Sequence, residues 1–492
     1  MVTHIASATL VGIGAHLVTV EAEVVSGMTN FTIVGLPDAK IQEARERIRS
    51  AIKQSGFQYP YNFRITVNLA PSDLRKEGTG FDVPIALAIL SKPLGLPDLD
   101  DALVIGELAL DGSVRPVRGV LAAARAGMRA GKRRMFVPAE NAAEAALVEN
   151  IEIYPIKNLK MLIDAIAKGA RSDLKSFERG DKNNFTATKP EIDFADIAGN
   201  EFAKRALLIA AAGNFHCLLQ GPPGVGKTML ARAVPGILAP LSSTESLEVT
   251  EIYSSAGVVG PEQLPITARP FRAPHHSAST SALIGSWNGR TLKPGEITLA
   301  HRGILFLDEL PEFARNVLEQ LRQPLEAHSL QLARAYATTP LPAHFMLIAA
   351  QNPCPCGFAT HPTRTCSCTL QQKRIYAKKI SGPLLDRIDL FCEVAATNLN
   401  ALTATKKSAI KNSAAIREEV LAAQKFAMGR GEIALPEKTK IFATRAAEKL
   451  ELSARGFTRL IRVSRTIADL ASSASIESTH VAEALQYRTP QS

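Results

Sequence analysis

Two strand-like stretches frame the first part of the chain. Leu17-Val-Thr-Val-Glu-Ala-Glu-Val-Val25 and Phe63-Arg-Ile-Thr-Val-Asn-Leu69 alternate apolar and polar positions, which predicts half-buried strands. Between them, Asp38 to Gln54 has the spacing of a charged amphipathic helix, with Gly56 as its stop. Ile85 to Leu90 predicts an apolar helix, Leu103 to Gly112 a strand closed by an Asp-Gly turn, and Val120 to Ala130 an Ala-rich helix. Periodicity then disappears: residues 171–191 are polar, charged and aperiodic, as a linker is. Beyond it come short, wholly apolar runs, His216-Cys-Leu-Leu219, Ile304-Leu-Phe-Leu307 and Phe345 to Ala350, that suit buried strands. A hairpin pattern over Gln331 to Pro342 precedes the last of them, and Leu399 to Ser492 is helical in pattern. The elements predict a multidomain α/β chain: an α+β domain at 1–170, the linker, an α/β core at 192–395 and a helical domain at 396–492.

Chemistry enters at the end of the first apolar run. Gly221-Pro-Pro-Gly-Val-Gly-Lys-Thr228 fits G-x-x-x-x-G-K-[ST], the loop that cradles phosphates, and Met229 to Val234 opens a helix behind it. Backbone N–H groups of such a loop and helix start form a positive cup for phosphate. Gly221, Gly224 and Gly226 let the backbone bend close to the anion, while Pro222, Pro223, Val225 and Met229 complete the lining. Lys227 would reach the β and γ phosphates and Thr228 would hold Mg²⁺. Ile304–Leu307 ends in Asp308-Glu309, a second Mg²⁺ ligand (through water) and a carboxylate to polarise the attacking water. Asn352, at the end of the third run, is placed to orient that water. Two such elements in order imply that the chain binds and hydrolyses a nucleoside triphosphate.

Net charge is +10, which favours a polyanionic partner but does not separate nucleic acid from a membrane surface. No apolar run approaches the ~18 residues of a membrane span. With no secretory signal evident at the N-terminus and six cysteines unlike a disulfide framework, the expected place is the cytoplasm. Residues 260–296 form an insertion with Arg269, Arg272, Arg290 and Lys293, no acid between Glu262 and Glu296, and Phe271 and Trp287 interleaved. Cations for phosphates and flat rings for bases suit nucleic acid; the alternative is a solvated loop whose aromatics close a local core. Adjacent His275 and His276 rarely both reach one ion. Cys354-Pro-Cys356 and Cys366-Ser-Cys368, within a Cys-rich loop at 353–370, supply four thiolates for a tetrahedral Zn²⁺. The one-residue spacers are shorter than the usual two to four, and four reduced thiols is the alternative. Lys373 and Arg374 follow in an acid-free stretch, a basic surface for DNA or a solvated face. Arg387, in Leu384-Leu-Asp-Arg-Ile-Asp389, stands where a neighbouring subunit's arginine stabilises γ-phosphate charge; a helix-end salt bridge is the alternative.

Two resemblances sharpen this reading. Lys76-Glu-Gly-Thr-Gly-Phe-Asp82 and Gly112 to Ala123 resemble the Lon-protease-type domain. In Lon proteases these segments carry a nucleophilic serine and a lysine; here the places fall at Phe81 or Asp82 and at about Leu121, so no acyl-transfer chemistry is expected. The whole chain resembles the YifB/ComM family of Mg-chelatase-like AAA+ ATPases, through Gly35-Leu-Pro-Asp38, Pro270-Phe-Arg-Ala-Pro-His-His276, Gly303 to Glu309, Asn352-Pro-Cys-Pro-Cys-Gly357 and Ser381 to Asp389. That resemblance implies a homo-hexameric motor that migrates branched DNA, working with recombination proteins in natural transformation, with single-stranded DNA as a further form it would hold. It implies that Ile197 and Gly199 contact adenine, with a helix-entry turn as the alternative. Arg334 matches a pore-lining residue of a related hairpin in replicative helicases. Arg455, with Arg459 and Arg462 as alternatives, is expected to fold back on the phosphates from a helical lid. A chelatase-type motor acting on a protein partner is the rival function.

Overall fold

The computed structural model describes residues 2–169, 174–178, 190–260, 263–288, 291–334, 337–395, 411–430 and 435–488. The linker segment therefore lies largely outside the described residues. Two compact units emerge: Met1–Phe185 with Ser242–Ile266 and Trp287–Lys293, and Thr186–Leu241 with Thr267–Ser286 and Pro294–Ser492.

In the first unit the alternating stretches are strands, as predicted, and they pair with one another. Val2–Val11, Gly14–Ser26, Phe63–Ala70 and Asn30–Val34 lie side by side in that order. The first three are antiparallel, and Asn30–Val34 runs parallel to its neighbour. Their inward positions Val18, Val20, Ala22, Ile65, Val67 and Leu69 form one core with helices Ala39–Gln54 and Asp82–Ser91. Asp38 starts the first helix by accepting the Ile41 N–H at 2.9 Å, which satisfies an otherwise orphaned donor. All ten residues of Asp82–Ser91 are buried, so the helix reads as continuously apolar rather than amphipathic.

One element differs from expectation. The predicted strand Leu103–Gly112 is broken into Ala102–Val104 and Glu107–Leu108, which belong to different sheets. The break falls at Gly106, whose N–H donates to Gly80 O at 2.9 Å while its carbonyl accepts the Val83 N–H at 3.1 Å. A Cβ there would lie 2.9 Å from Val83 Cγ2, so the close passage of the buried helix requires glycine. Ala102–Val104 continues into a parallel sheet with Arg134–Pro138 and Glu152–Ile156.

The helix Ser243–Ala256 also belongs to this unit, although it follows the phosphate-loop helix in sequence. Its Ser254 hydroxyl bonds Glu144 and accepts the Gly119 N–H at 3.0 Å, and Glu251 pairs with Arg125. Glu144 is 1% exposed; burial raises its pKa, opposed by bonds from Ser254, the Leu121 N–H and Asn141.

The second unit is built on a five-stranded sheet in the order Phe271–Arg272, Ile304–Leu307, Met346–Gln351, Cys217–Gln220, Leu390–Glu393. All four pairings are parallel. Strands buried on both faces need no polar alternation, which is why these runs are uniformly apolar. The C-terminal helices Ser413–Gly429, Glu437–Lys449, Ala454–Leu470 and Ser478–Gln486 do not make a core of their own. Their Val420, Ala443, Leu460, Ile467 and Val481 join the cluster that contains Ile304, Phe306 and Ile348. Among the described residues no helix is long and apolar enough to cross a membrane.

Candidate nucleotide site

Parallel pairing brings three strand ends to one edge. Gln220 is opposite Gln351, and Leu307 is opposite Ala349, so Gly221, Asp308 and Asn352 leave the sheet together. Ligands of open α/β sheets bind at this carboxyl edge. The phosphate loop crosses it with Gly224 and Gly226 at φ +80° and +90°, and Gly226 leads into the helix Lys227–Ala233.

Lys227 is 8% exposed, and its Nζ donates to Gly221 O at 2.6 Å, Pro222 O at 2.9 Å and Asn352 Oδ1 at 3.0 Å. Burial lowers its pKa, although nearby Asp308 and Glu309 pull the other way. Thr228 Oγ1 donates to Asp308 Oδ2 at 2.7 Å, and the Glu309 N–H donates to Asp308 Oδ1 at 2.9 Å. A hydroxyl and a carboxylate held together beside a lysine fit the oxygen-rich coordination that Mg²⁺ takes. Glu309 itself sits in the left-handed region, φ +53°, with its side chain half exposed. A non-glycine residue there is strained, and such strain concentrates at functional sites.

The sequence reading overlooked the partner of Glu309. His276 Nδ1 lies 3.2 Å from Glu309 Oε2, and the His275 ring sits 4.0 Å from that of His276. The signal was available: His276 follows closely on the strand Phe271–Arg272, which lies next to the strand carrying Asp308 and Glu309. Among the described residues, the His pair forms no metal group with other ligands.

Ile197 is 5% exposed and belongs to the same apolar cluster as Val225, with Gly199 at φ +68° beside it. Asn200 Nδ2 donates to Val225 O at 3.4 Å, tying this turn to the phosphate loop. Met229, by contrast, is 44% exposed.

The arginines have partners within the chain. Arg387 pairs with Glu326 at 2.6 Å and donates to Pro383 O at 2.5 Å, while its buried Nε–H has no partner among the described residues. Arg455 lies 3.7 Å from the same Glu326 and is largely exposed. Arg459 donates to Ile388 O at 2.8 Å, and Arg462 stands over the Phe215 ring. Ile388 and Phe215 precede the strands Leu390–Glu393 and Cys217–Gln220, so Arg459 and Arg462 gather at the amino edge of the sheet, opposite the phosphate loop. Arg455 therefore shares a carboxylate with Arg387 instead of folding back on the phosphates of its own chain. Helical spacing announces the helix Ala454–Leu470, but its docking is a tertiary matter.

The expected DNA cations also divide. Arg272 is held by Glu296 at 2.6 and 2.8 Å, and Arg269 donates to Ala239 O and Arg302 O at 2.5 and 2.6 Å. Phe271 stacks on Phe306, ring centres 6.0 Å apart, and packs on the core. Both arginines thus have partners within the chain, and the Phe271 ring is packed against apolar neighbours, as the alternative expected of the aromatics. Lys293 and Arg374 are exposed and Lys373 is half-buried. Arg290 lies outside the described residues. Arg334 ends the strand Ser329–Arg334, paired with Ala337–Pro342 as the hairpin pattern predicts; its side chain is not among those described.

In the first unit, the places where a Lon-type serine and lysine would stand are core. Phe81 and Leu121 are 1% and 0% exposed, and Asp82 is bound by Arg47 at 2.8 and 3.2 Å. Burial pushes the Asp82 pKa up to about 6 despite that guanidinium.

A parallel sheet with a phosphate loop, a lysine and paired carboxylates at its carboxyl edge defines a P-loop nucleotidase of the AAA+ class. Family comparison makes the assignment specific. Residues 193–402 match the family described as magnesium chelatase, subunit ChlI; residues 20–141 match subunit ChlI of Mg-chelatase, and residues 410–488 match its C-terminal part. The chain is 42% identical to competence protein ComM of Haemophilus influenzae, over 97% of this chain and 95% of that protein. It is 40% identical to YifB of Salmonella typhimurium, again over 97% and 95%. A Lon protease of Rhizobium meliloti is 28% identical over 204 residues, 39% of this chain and 25% of that enzyme. The chain belongs to the YifB/ComM family of Mg-chelatase-like AAA+ proteins.

Proposed function

We propose that this chain is an ATP-driven DNA motor, a homo-hexameric branch-migration helicase that acts on recombination intermediates in natural transformation. The observation that carries the reading is near-full-length kinship with a competence protein, joined to a complete set of nucleotide-site residues at one sheet edge. ATP would draw Lys227 off the carbonyls of Gly221 and Pro222 and onto its β and γ phosphates. Mg²⁺, held by Thr228 and by Asp308 through water, would neutralise phosphate charge. Asn352 orients the attacking water and Glu309 polarises it, with His276 fixing the carboxylate. Arg387 and Arg455 reach the nucleotide of a neighbouring subunit, leaving Glu326 to do so. Arg334, Lys293, Lys373, Arg374 and Arg290 would contact DNA. Such a protein works in the cytoplasm, with its thiols reduced, the form in which Cys354, Cys356, Cys366 and Cys368 bind Zn²⁺.

The internal pairing of Arg269 and Arg272 favours a second reading, a chelatase-like motor that remodels a protein partner. ATP hydrolysis measured with and without a four-way DNA junction separates the two. The motor reading expects stimulation by the junction that disappears in Lys227→Ala. Hydrolysis indifferent to every DNA form would leave the protein-remodelling reading.

A further inference from the structure

The four cysteines stand immediately behind the nucleotide site. Cys354, Cys356, Cys366 and Cys368 present sulfurs that all lie within 4.8 Å of one another. Cys354 Sγ is 3.4 Å from Cys356 Sγ and 3.7 Å from Cys366 Sγ, and Cys356 and Cys366 are 3.6 Å apart. Four thiolates about 2.3 Å from a central zinc in a tetrahedron stand about 3.8 Å apart; the sulfurs of Cys354, Cys356 and Cys366 are close to that spacing, and Cys368 lies within 4.8 Å of them. A disulfide needs about 2.05 Å, and no pair approaches it. The Cys356 N–H donates to Cys368 Sγ at 3.4 Å, the kind of bond that orients and stabilises a ligating thiolate. Cys354 is fully buried, and the sequence carries no acid from Gly357 to Leu385. Carboxylate donors are thus absent from the loop itself, and four thiolates suit a soft, four-coordinate ion.

What surrounds this cluster gives it a role. The loop turns back at Gly357, φ +83°, whose N–H donates to Cys354 O at 2.9 Å. A Cβ on Gly357 would lie 2.7 Å from Pro223 Cδ, in the phosphate loop, and 3.9 Å from Asn352 Cγ. Asn352 in turn accepts the Lys227 ammonium. The turn made by two of the cysteines is therefore pressed between the phosphate loop and the residue that orients water.

We propose that the four cysteines bind one zinc ion and that this ion is a structural part of the nucleotide site, clamping the Cys354–Gly357 turn against Pro223 and Asn352. The proposal rests on the reading of Gly221–Thr228 as an ATP-binding loop. Without the ion the turn loses its anchor, the phosphate loop loses its backing, and ATP binding weakens even though no cysteine touches the nucleotide.

The test uses the full chain, purified under reducing conditions. Zinc and iron per chain are measured by atomic emission, and affinity for a fluorescent ATP analogue is titrated. The titration is repeated after an organomercurial releases the metal and excess thiol removes the mercurial, then again after zinc is restored. One zinc per chain is expected, with nucleotide affinity falling at least about tenfold on removal and returning with zinc, since small misplacements in such sites carry penalties of this order. Far-ultraviolet circular dichroism, unchanged throughout, excludes global unfolding. Gly357→Ala keeps every cysteine and is expected to retain zinc while binding nucleotide more weakly. Iron in place of zinc, no bound metal, or affinity indifferent to zinc in the presence of tight nucleotide binding would each overturn the clamp. Zinc bound by a chain that never binds nucleotide would overturn the reading of the phosphate loop, and the clamp with it.

Discussion

Glu309 and His276 define the residue scale. A carboxylate held in a left-handed conformation with an imidazole 3.2 Å away is positioned rather than free to rotate. His276→Ala is expected to lower kcat for ATP hydrolysis about tenfold while leaving nucleotide affinity unchanged, because the histidine faces the carboxylate and not the phosphate loop. Equal losses in binding and turnover would contradict that role. His216 carries a pH prediction. It is buried, its Nδ1 accepts the Leu347 N–H at 3.1 Å, and burial pushes its pKa down to about 4 from an ordinary 6.5. Between those values the unfolded chain binds the proton and the folded chain does not. The stability that neutral His216 contributes is thus complete above about pH 6.5 and disappears as the pH falls towards 4, by up to about 3 kcal/mol. Urea denaturation at stepped pH should show this slope, and His216→Asn, which keeps an acceptor near the Nδ1 position, should flatten it.

Elements show where sequence patterns suffice and where they do not. The nucleotide site was legible because its chemistry sits in contiguous motifs at the ends of apolar strands, and parallel pairing alone brings Gly221, Asp308 and Asn352 together. The pairing of Arg272 was hidden because Glu296, the acid that holds it, lies 24 residues downstream, at the edge of an otherwise acid-free stretch. The helix Ser243–Ala256 gave no sign of its docking, since it joins the first unit through Ser254 and Glu251, residues that normally read as surface. The break at Gly106 was hidden for a related reason: strand propensity does not reveal that a buried helix passes within contact. Arg47 and Asp82 tie that helix to Ala39–Gln54, with the carboxylate 1% exposed. Arg47→Leu removes the buried acid's charged partner and leaves it the Leu108 N–H, and about 3 kcal/mol of stability should be lost in chemical denaturation. A change near zero would mean that Asp82 is held by the Leu108 N–H and burial alone.

Lys227, Thr228, Asp308 and Asn352 lie at the carboxyl edge of one sheet, whereas Arg459 and Arg462 lie at the amino edge and Arg387 and Arg455 share Glu326. In the proposed motor a neighbour's arginines would meet the phosphates bound at this edge. Mixing provides the check. Lys227→Ala and Arg387→Ala chains, each inactive alone, should regain part of the wild-type hydrolysis when combined, because a Lys227 site then faces an intact Arg387. No recovery in mixed assemblies would place Arg387 in a structural pair with Glu326. The central claim, that the energy of ATP moves DNA strands, is tested most directly by incubating the wild-type chain with a labelled four-way junction and following its separation into two-strand products. The account predicts separation with ATP and Mg²⁺, and none with a non-hydrolysable analogue or with Lys227→Ala. A junction that stays intact while the same preparation hydrolyses ATP would contradict it.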